Sequence, residues 1–189
     1  MTERLATLPA IQAAVWRELA SAAQDKKHPW RTPVLATTDG QMADARTVIL
    51  REVDARQQQL MTFTDDRAGK VAQLLGHPRG TMVMWSPALS WQLRCRVVLS
   101  QEMSGLAATS RWAKLKLTPA AQDYLAPLPP GAPLDAAPQA AATAQPPPVQ
   151  RAYFAVITAQ VMSIDWLELH RDGHRRARFD DVGARWIQP

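Results

Sequence analysis

The sequence lacks the features that define several common protein classes. Its 189 residues include a single cysteine, Cys95, which excludes an internal disulfide and a cysteine-rich metal site. No apolar run approaches the roughly 20 residues that a membrane-spanning helix requires. The opening residues, MTERLATLPAIQAAVWREL, contain Glu3, Arg17 and Glu18 and no continuous apolar segment, so we predict no signal peptide. These absences make the cytoplasm the expected compartment.

A net charge of +5 raises the question of nucleic-acid binding. Apart from HRDGHRRARF, residues 170–179, the basic residues are scattered along the chain. They are accompanied by no zinc-finger spacing, helix-turn-helix pattern or aromatic RNA-binding signature. We therefore predict neither a nucleic-acid nor a membrane partner. Scattered arginines are typical of a solvated surface, and a small phosphate-bearing ligand would use a few of them.

Short apolar runs separated by turn signals predict about six or seven strands, mostly antiparallel. The predicted strands are 34–36, 45–53, 59–64, 80–86, 90–103, 153–162 with 163–169 (separate or as one long bent strand), and 184–187. The predicted helices are 9–25, 65–79, 109–117 and 119–125, with Asp65 or Asp66 capping the second. This pattern favours a mainly β fold with peripheral helices, arranged as a small barrel in one domain over residues 1–189. The Pro/Ala-rich segment 127–150 has little apolar bulk to bury, so we predict an irregular arm there.

The stretch ARTVILREVD, residues 45–54, carries a charge at each end of an apolar run. Arg46 and Arg51 flank Val48, Ile49 and Leu50, where a buried strand is expected. One interpretation places both arginines on the solvent side of an edge strand. The other makes this strand one wall of a pocket for an anion. Residue patterns alone leave both open.

Five motifs follow one another in an order and spacing that resemble a known family. They are ARTVILR, LMTFTDDRAGK, HPRGTMVMWSP, SWQLRCRV, and IDWLELHRDGHRRARF with the closing RWIQP. Together they resemble the pyridoxamine 5′-phosphate oxidase-like flavoproteins, the FMN-binding split barrels. HPWRTPVLATTDG and the helix around Trp112 resemble a subgroup distinct from the authentic oxidases. The resemblance covers most of residues 28–126 and 151–189, and implies an antiparallel, Greek-key-like split β-barrel.

The resemblance also implies a homodimer that holds FMN in a groove at the subunit interface. Arg46 and Lys70 would bind the FMN phosphate as a guanidinium fork and an ammonium. Gln92 would reach the flavin from the other subunit. The full set of implied cofactor-binding residues is Arg46, Thr47, Val48, Ile49, Leu50, Arg51, Phe63, Thr64, Arg67, Lys70, Gln92, Trp166 and Arg178.

Taken singly, the implied residues have simpler interpretations. Lys70 would be a solvated helix residue, and Trp166 would be a core or interface residue. Cys95 lies on an apolar strand face and is expected to be a buried, inert thiol. His170 and His174 are four residues apart, but their Asp-Gly turn context argues against a helical metal site, and we predict no metal.

The sequence departs from the authentic oxidases at several positions. Gly69 stands where the family has an arginine before Lys70, and Arg67 is a candidate replacement for that charge. The Tyr…Arg…Ser set that binds the substrate phosphate is not found in residues 101–116. Near the C-terminus, His174 and Arg176 reverse the order of the family's Arg-x-His pair. Together with Arg51, they are the candidate substrate-binding residues.

These departures favour an FMN-dependent oxidoreductase, an oxidase or a reductase, with an unassigned small-molecule substrate or reductant. The alternatives are an authentic pyridoxamine or pyridoxine 5′-phosphate oxidase and a non-catalytic flavin-binding protein. No catalytic side chain is assigned, because flavin chemistry requires no protein nucleophile.

Overall fold

The computed structural model of the chain describes residues 4–134 and 153–189. That part contains nine strands and three α-helices. The helices are α1 (Leu8–Gln24), α2 (Gly69–Gly76) and α3 (Leu106–Leu115), with short 3₁₀ helices at Pro29–Arg31 and Pro119–Tyr124. The strands are β1 (Val34–Thr38), β2 (Ala43–Thr47), β3 (Leu50–Asp54), β4 (Gln59–Asp65), β5 (Arg79–Ser86), β6 (Trp91–Glu102), β7 (Phe154–Glu168), β8 (Arg175–Asp180) and β9 (Gly183–Ile187).

All nine strands form one antiparallel sheet. Its main path runs β2-β1-β5-β6-β7-β4-β3, and β8 and β9 continue from β7 as a side branch. The path begins at β2 and ends at β3, yet only Val48 and Ile49 separate these strands in sequence. Two residues span less than about 11 Å between flanking strand ends, so the sheet must curl until its two edges are close. No backbone ladder joins β2 to β3 in the described part of the chain, which makes the curled sheet a split barrel.

The predicted single strand over residues 45–53 is therefore wrong in one respect. The chain forms β2, leaves it at Thr47, and re-enters the sheet as β3 at the opposite edge. At the crossing, the backbone N–H of Val48 donates to the carbonyl of Pro33 at 2.9 Å, which extends the β1–β2 register by one residue before the chain crosses to β3. Arg46 and Arg51 consequently belong to different edges of the barrel.

The core lies inside the curl, beneath α1. Alternate residues of β6 point inward, among them Leu93, Cys95 and Val97, as their period of two predicted. Helix α1 begins after Thr7, whose hydroxyl caps the helix, and it packs against β3, the first 3₁₀ helix and β9. A smaller cluster lies under α3 and the second 3₁₀ helix, formed by Ala108, Leu115, Tyr124, Phe154 and Val156 with Phe63 and Trp112 at its border.

Helix α2 is shorter than predicted, because the strand before it runs further. β4 includes Asp65, and the Asp65 carboxylate accepts the backbone N–H of Arg67 at 2.8 Å in a turn. The helix starts only at Gly69, and its N-cap is Ala68, which makes no side-chain capping bond. The predicted cap by Asp65 or Asp66 is therefore wrong.

At the C-terminal end, β7 is one long strand with a register shift opposite Arg96 and Val97, so the single bent strand is the correct alternative. β8 was not predicted, because only Ala177 and Phe179 point inward and the intervening arginines hide the pattern. Of the predicted arm 127–150, residues 127–134 follow the second 3₁₀ helix, and the remainder lies outside the described residues. Within residues 4–134 and 153–189, no helix combines the length and hydropathy that a membrane span requires.

Candidate functional site

Arg46 is held in a network of polar side chains at the barrel edge formed by β1 and β2. Its Nη1 donates to the Thr37 hydroxyl at 2.5 Å and to the Leu35 carbonyl at 3.3 Å. Its Nη2 donates to the Gln73 side-chain carbonyl at 3.1 Å and forms an ion pair with Asp44. Since the guanidinium is bound on several sides, its orientation is fixed before any ligand arrives.

Lys70 lies on the first turn of α2 beside Arg46. Its Nζ donates to the hydroxyl of buried Thr64 at 3.0 Å, the one hydrogen bond that this ammonium makes within the described residues. Burial lowers the pKa of Lys70, and the positive charge of Arg46 lowers it further, against smaller opposing effects of Asp65 and Asp44. An ammonium that is both desolvated and repelled by a neighbouring cation is stabilised when an anion enters between them.

These residues form what we call the cradle: Arg46, Lys70 and Thr64. β2 supplies the guanidinium, α2 the ammonium and β4 the hydroxyl, and α2 packs against β1 across the opening of the barrel. A fixed guanidinium fork and a Lys ammonium suit a phosphate dianion. The structure thus brings together three of the predicted cofactor-binding residues, of which Arg46 and Lys70 were predicted at the FMN phosphate. More than half of the Asp44 side chain is exposed, so a phosphate could replace Asp44 as the ion-pair partner of Arg46.

Arg51 lies at the other end of the crossing, at the start of β3. Its guanidinium carbon is 5.6 Å from the ring centroid of Phe63, a cation–π arrangement. Its Nε is buried and has no acceptor among the described residues. Burial lowers the pKa of Arg31, and the charge of Arg51 lowers it further. Burial raises the pKa of Tyr124, and Arg51 opposes part of that increase. A second positive centre with a free donor therefore lies next to an aromatic face.

The backbone between the two arginines is partly open. Ile49 is 41% exposed and Thr47 is exposed, whereas the side chain of Leu50 is fully buried in the core. Val48 is partly buried and packs against the core. The side chains of Val48 and Leu50 therefore pack in or against the core. Only their backbone groups could contact a ligand, which is the contact predicted for Val48 and Ile49.

Arg67 is engaged by the protein itself. Its Nε and Nη2 bind both oxygens of Asp65, at 3.0 and 2.6 Å. The guanidinium also donates to the carbonyls of residues 126–128 and stacks on Tyr153, with 3.3 Å between Cζ and the ring centroid. Each guanidinium nitrogen thus has a protein acceptor, and Arg67 binds the segment that follows the second 3₁₀ helix. Its candidate role as a replacement for the charge missing at Gly69 stays a prediction.

Gln92 and Arg178 lie on the outer face of the sheet, away from the core. Gln92 is paired across the ladder with Trp85, whose side chain is 43% exposed, and with Leu167. Arg178 lies on β8, 3.7 Å from Asp165. Trp166 is turned the other way and is fully buried, with its ring centroid 5.3 Å from that of Trp91. Trp166 therefore packs in the core of the protomer, and its predicted contact with the flavin ring stays a prediction.

Two of the three predicted substrate-binding residues, His174 and Arg176, lie before and on β8. His174 is exposed in the turn before β8, where its Nδ1 accepts the backbone N–H of His170. Arg176 binds the carboxylate of Asp165 with two hydrogen bonds, of 2.9 and 2.8 Å. Arg51 lies on the far edge strand of the barrel, so within one protomer these three residues are on separate elements.

Three residues that hold the site escaped the sequence analysis. Asp44 stands two positions before Arg46, on the same face of β2, and this spacing was a usable signal. Gln73 stands three positions after Lys70, on the same face of α2, which was a second. The carboxylate of Asp165 lies within ion-pair distance of three arginines from β6 and β8. Only the strand register shows that these residues are close.

The chain matches the model of a known family. Residues 13–99 match the model of the pyridoxamine 5′-phosphate oxidase, FMN-binding domain. That range contains the cradle, Arg51, Phe63 and Gln92, whereas Trp166 and Arg178 lie beyond it. No curated protein matches the chain by sequence. The match confirms the predicted family and the predicted cofactor, FMN, while the subgroup stays a prediction.

Solved structures share the fold. A pyridoxamine 5′-phosphate oxidase-related FMN-binding protein from Nostoc punctiforme has a TM-score of 0.72 at 22% identity, over 99% of this chain and 100% of its own. PhzG from Burkholderia lata, solved with tetrahydrophenazine-1-carboxylic acid, has a TM-score of 0.69 at 13% identity, over 97% and 94% of the two chains. A putative pyridoxamine 5′-phosphate oxidase from Listeria innocua reaches 0.51 at 14% identity, over 82% and 95%. The predicted split-barrel fold is confirmed.

Proposed function

Because residues 13–99 match the pyridoxamine 5′-phosphate oxidase, FMN-binding domain, we propose that the chain is a homodimeric, FMN-dependent oxidoreductase that acts on a small molecule. The observation that carries the proposal is the cradle, where Arg46 and Lys70 place two positive charges and a hydroxyl at one end of the barrel opening. PhzG, which shares the fold, was solved with a small aromatic acid, and this supports a small-molecule substrate.

The residues present fit the cofactor. Burial, and secondly the charge of Arg46, lower the pKa of Lys70, and a phosphate between Arg46 and Lys70 would stabilise both cations. The guanidinium of Arg46 would exchange its exposed partner Asp44 for phosphate oxygens and keep its bonds to Thr37 and Gln73.

The flavin ring would extend from the cradle along the crossing toward Arg51. Bound FMN supplies the capacity to accept or give a hydride at its ring. The positive charge of Arg51, beside Phe63, would lie near the ring and stabilise the negative charge of the reduced state. Phe63 would hold the Arg51 guanidinium in place and keep water from it.

The proposed dimer completes the site from the other side. Gln92 and Arg178 lie on the outer face, and the exposed ring of Trp85 stands beside Gln92. A second copy placed on this face would bury Trp85 and carry its own Gln92 and Arg178 to the flavin. Two-fold symmetry then gives two equivalent sites.

The test is the visible absorption spectrum of the purified protein, before and after addition of FMN and removal of the excess. We expect flavin bands that persist at one FMN per subunit, with a dimer by light scattering at micromolar concentration. Reduction of the bound flavin by candidate donors, followed by reoxidation, would support turnover. Retained flavin that no donor reduces would favour the non-catalytic alternative, and a monomer would refute the shared site.

A further inference from the structure

Strand β7 has a gap in its pairing along the edge that faces β4 and β8. The ladder to β4 ends at Gln160, opposite Gln59, and the ladder to β8 begins at Ile164, opposite Phe179. Within the described part of the chain, the three residues between them have no strand partner on this edge. Met162 also lacks a partner in the ladder to β6, because the register shifts there. Such bulges are over-represented beside functional sites, so we consider what the gap could bind.

The gap opens into a cavity of about 380 Å³ beside helix α1. This volume lies within the range of small-molecule sites, roughly 300–1,000 Å³. Helix α1 contributes Gln12 and Trp16, which are four residues apart and therefore share one face of the helix. The turn between β3 and β4 contributes Gln58, and the turn between β8 and β9 contributes Asp181. Apolar side chains complete the wall: Val161, Met162, Ile164 and Phe179.

This cavity is separate from the proposed flavin site. Gln58 lies at the opposite end of β3 from Arg51 and the crossing. The lining residues include no member of the cradle, nor Gln92 or Arg178. Along β7, Met162 is five residues from the ladder partner of Gln92, a distance of about 16 Å in an extended strand. A ligand in the gap would therefore occupy a second site.

The charges at the cavity favour a cation. Its lining residues include two aspartates and no lysine or arginine. Asp180 is engaged by Arg185, which donates to its two oxygens at 2.8 and 2.7 Å. Asp181 is exposed and makes no hydrogen bond or ion pair within the described residues. The carboxylate of Asp181 is thus the charge that a ligand meets, and it disfavours a phosphate or carboxylate ligand.

Two amide side chains at the cavity are available to a ligand. The side chains of Gln12 and Gln58 make no hydrogen bond within the described residues, whereas Gln160 donates to the backbone carbonyls of Gln57 and Gln58 and holds the turn. Gln58 has a φ of 54°, a left-handed conformation that glycine adopts at lower cost. The turn itself therefore does not require glutamine, and its amide group is left for the cavity.

These features together fit an ammonium group. A carboxylate pairs with an ammonium, amide carbonyls accept its N–H groups, and an indole ring attracts a cation over its face. We propose that the gap binds a small organic amine, whose ammonium group is held by Asp181 and by the amide carbonyls of Gln12 and Gln58. The aliphatic part of the ligand lies along the apolar wall, beside Trp16.

The experiment is a calorimetric titration of the purified protein with 6-amino-1-hexanol, 1,6-hexanediol and 6-hydroxyhexanoate. These probes share a chain of the same length and differ in whether one end is cationic, neutral or anionic. Asp181→Asn and Gln58→Gly are the test variants. Asp123→Asn is the matched control, because it removes the same charge from an exposed position on the second 3₁₀ helix.

We expect one 6-amino-1-hexanol per subunit, weaker binding of the diol and no binding of the anion. Asp181→Asn should weaken amine binding by about tenfold, the loss of one charge-assisted contact, while Asp123→Asn should leave it unchanged. Gln58→Gly should weaken amine binding by about threefold, the loss of one neutral hydrogen bond. Its urea midpoint should stay the same or rise, because glycine relieves the left-handed backbone.

Several results would overturn the proposal. They are no binding at millimolar amine, equal or tighter binding of the diol or the anion, unchanged amine affinity in Asp181→Asn or Gln58→Gly, and an equal loss of affinity in Asp123→Asn. Because the cavity shares no residue with the cradle, each of these results can be obtained whether or not the protein binds FMN.

Discussion

Replacing Lys70 by methionine should separate cofactor affinity from stability. Within the described residues, the ammonium makes one hydrogen bond, to Thr64, and burial and Arg46 both disfavour its charge. Methionine keeps the length of the side chain and removes that charge. In the absence of FMN we therefore expect the free energy of unfolding to stay the same or to rise slightly.

The affinity for FMN should change in the opposite direction. A charge-assisted hydrogen bond to phosphate contributes about 1.5–3 kcal/mol, so Lys70→Met should raise the dissociation constant by roughly 10- to 150-fold. The pH dependence of FMN affinity tests the same charge.

The pKa of Lys70 is lowered in the free protein, and a bound phosphate would raise it. Wild-type affinity for FMN should therefore be highest below the pKa of the free protein and fall as the pH rises through it. The variant should lose this fall.

The assay is a titration of apoprotein with FMN, followed by the quenching of flavin fluorescence, beside urea unfolding of the same samples. Lys116→Met, at an exposed position after α3, is the matched control and should change neither quantity. Unchanged FMN affinity in Lys70→Met would refute the cradle as the phosphate site. Weaker FMN binding together with an equal loss of stability would show that Lys70 acts through the fold.

Two further predictions concern the core of the sheet. Glu168 binds Arg4 and Arg175, whose hydrogen bonds lower its pKa even though burial alone would raise it. Its contribution to stability should be complete above the unfolded pKa of about 4.3 and be lost as the pH falls through the lower folded pKa. Glu168→Gln should cost about 1–3 kcal/mol in urea unfolding at pH 7, and the difference from wild type should shrink below pH ~4; a constant difference would contradict the ion-pair role. Burial raises the pKa of Cys95 to about 12, so the native protein should not react with a chromogenic disulfide reagent until it unfolds, and fast labelling of native protein would contradict its core position.

The parts of the fold that follow from local pattern could be predicted from the sequence. The alternation Leu93-Arg94-Cys95-Arg96-Val97 fixed both the existence of β6 and the face that each residue occupies. The motifs ARTVILR and LMTFTDDRAGK likewise predicted Arg46 and Lys70, two cradle residues that the structure brings together. Period and motif suffice in these cases, because each depends on the residue's own strand or helix.

Long-range arrangement could not be predicted in the same way. The break at Val48 and Ile49 exists because β2 and β3 lie at opposite ends of the strand order, a property of the whole sheet. Nothing in the apolar run itself marks that break. Similarly, the Asp165 cluster depends on the register of β6, β7 and β8, and one register shift in β7 decides which residues meet.

The break also explains why two arginines flank an apolar run. A continuous strand would place Arg46 and Arg51, five residues apart, on opposite faces of one sheet edge. The crossing instead assigns Arg46 to the edge beside α2 and Arg51 to the edge beside Phe63, at most about 18 Å apart along the chain. We infer that the opening of the barrel makes one elongated anionic ligand able to contact both charges, its phosphate at Arg46 and its ring at Arg51. If so, closing the gap by strand pairing would remove the site, and the split in the barrel is the structural requirement for binding FMN.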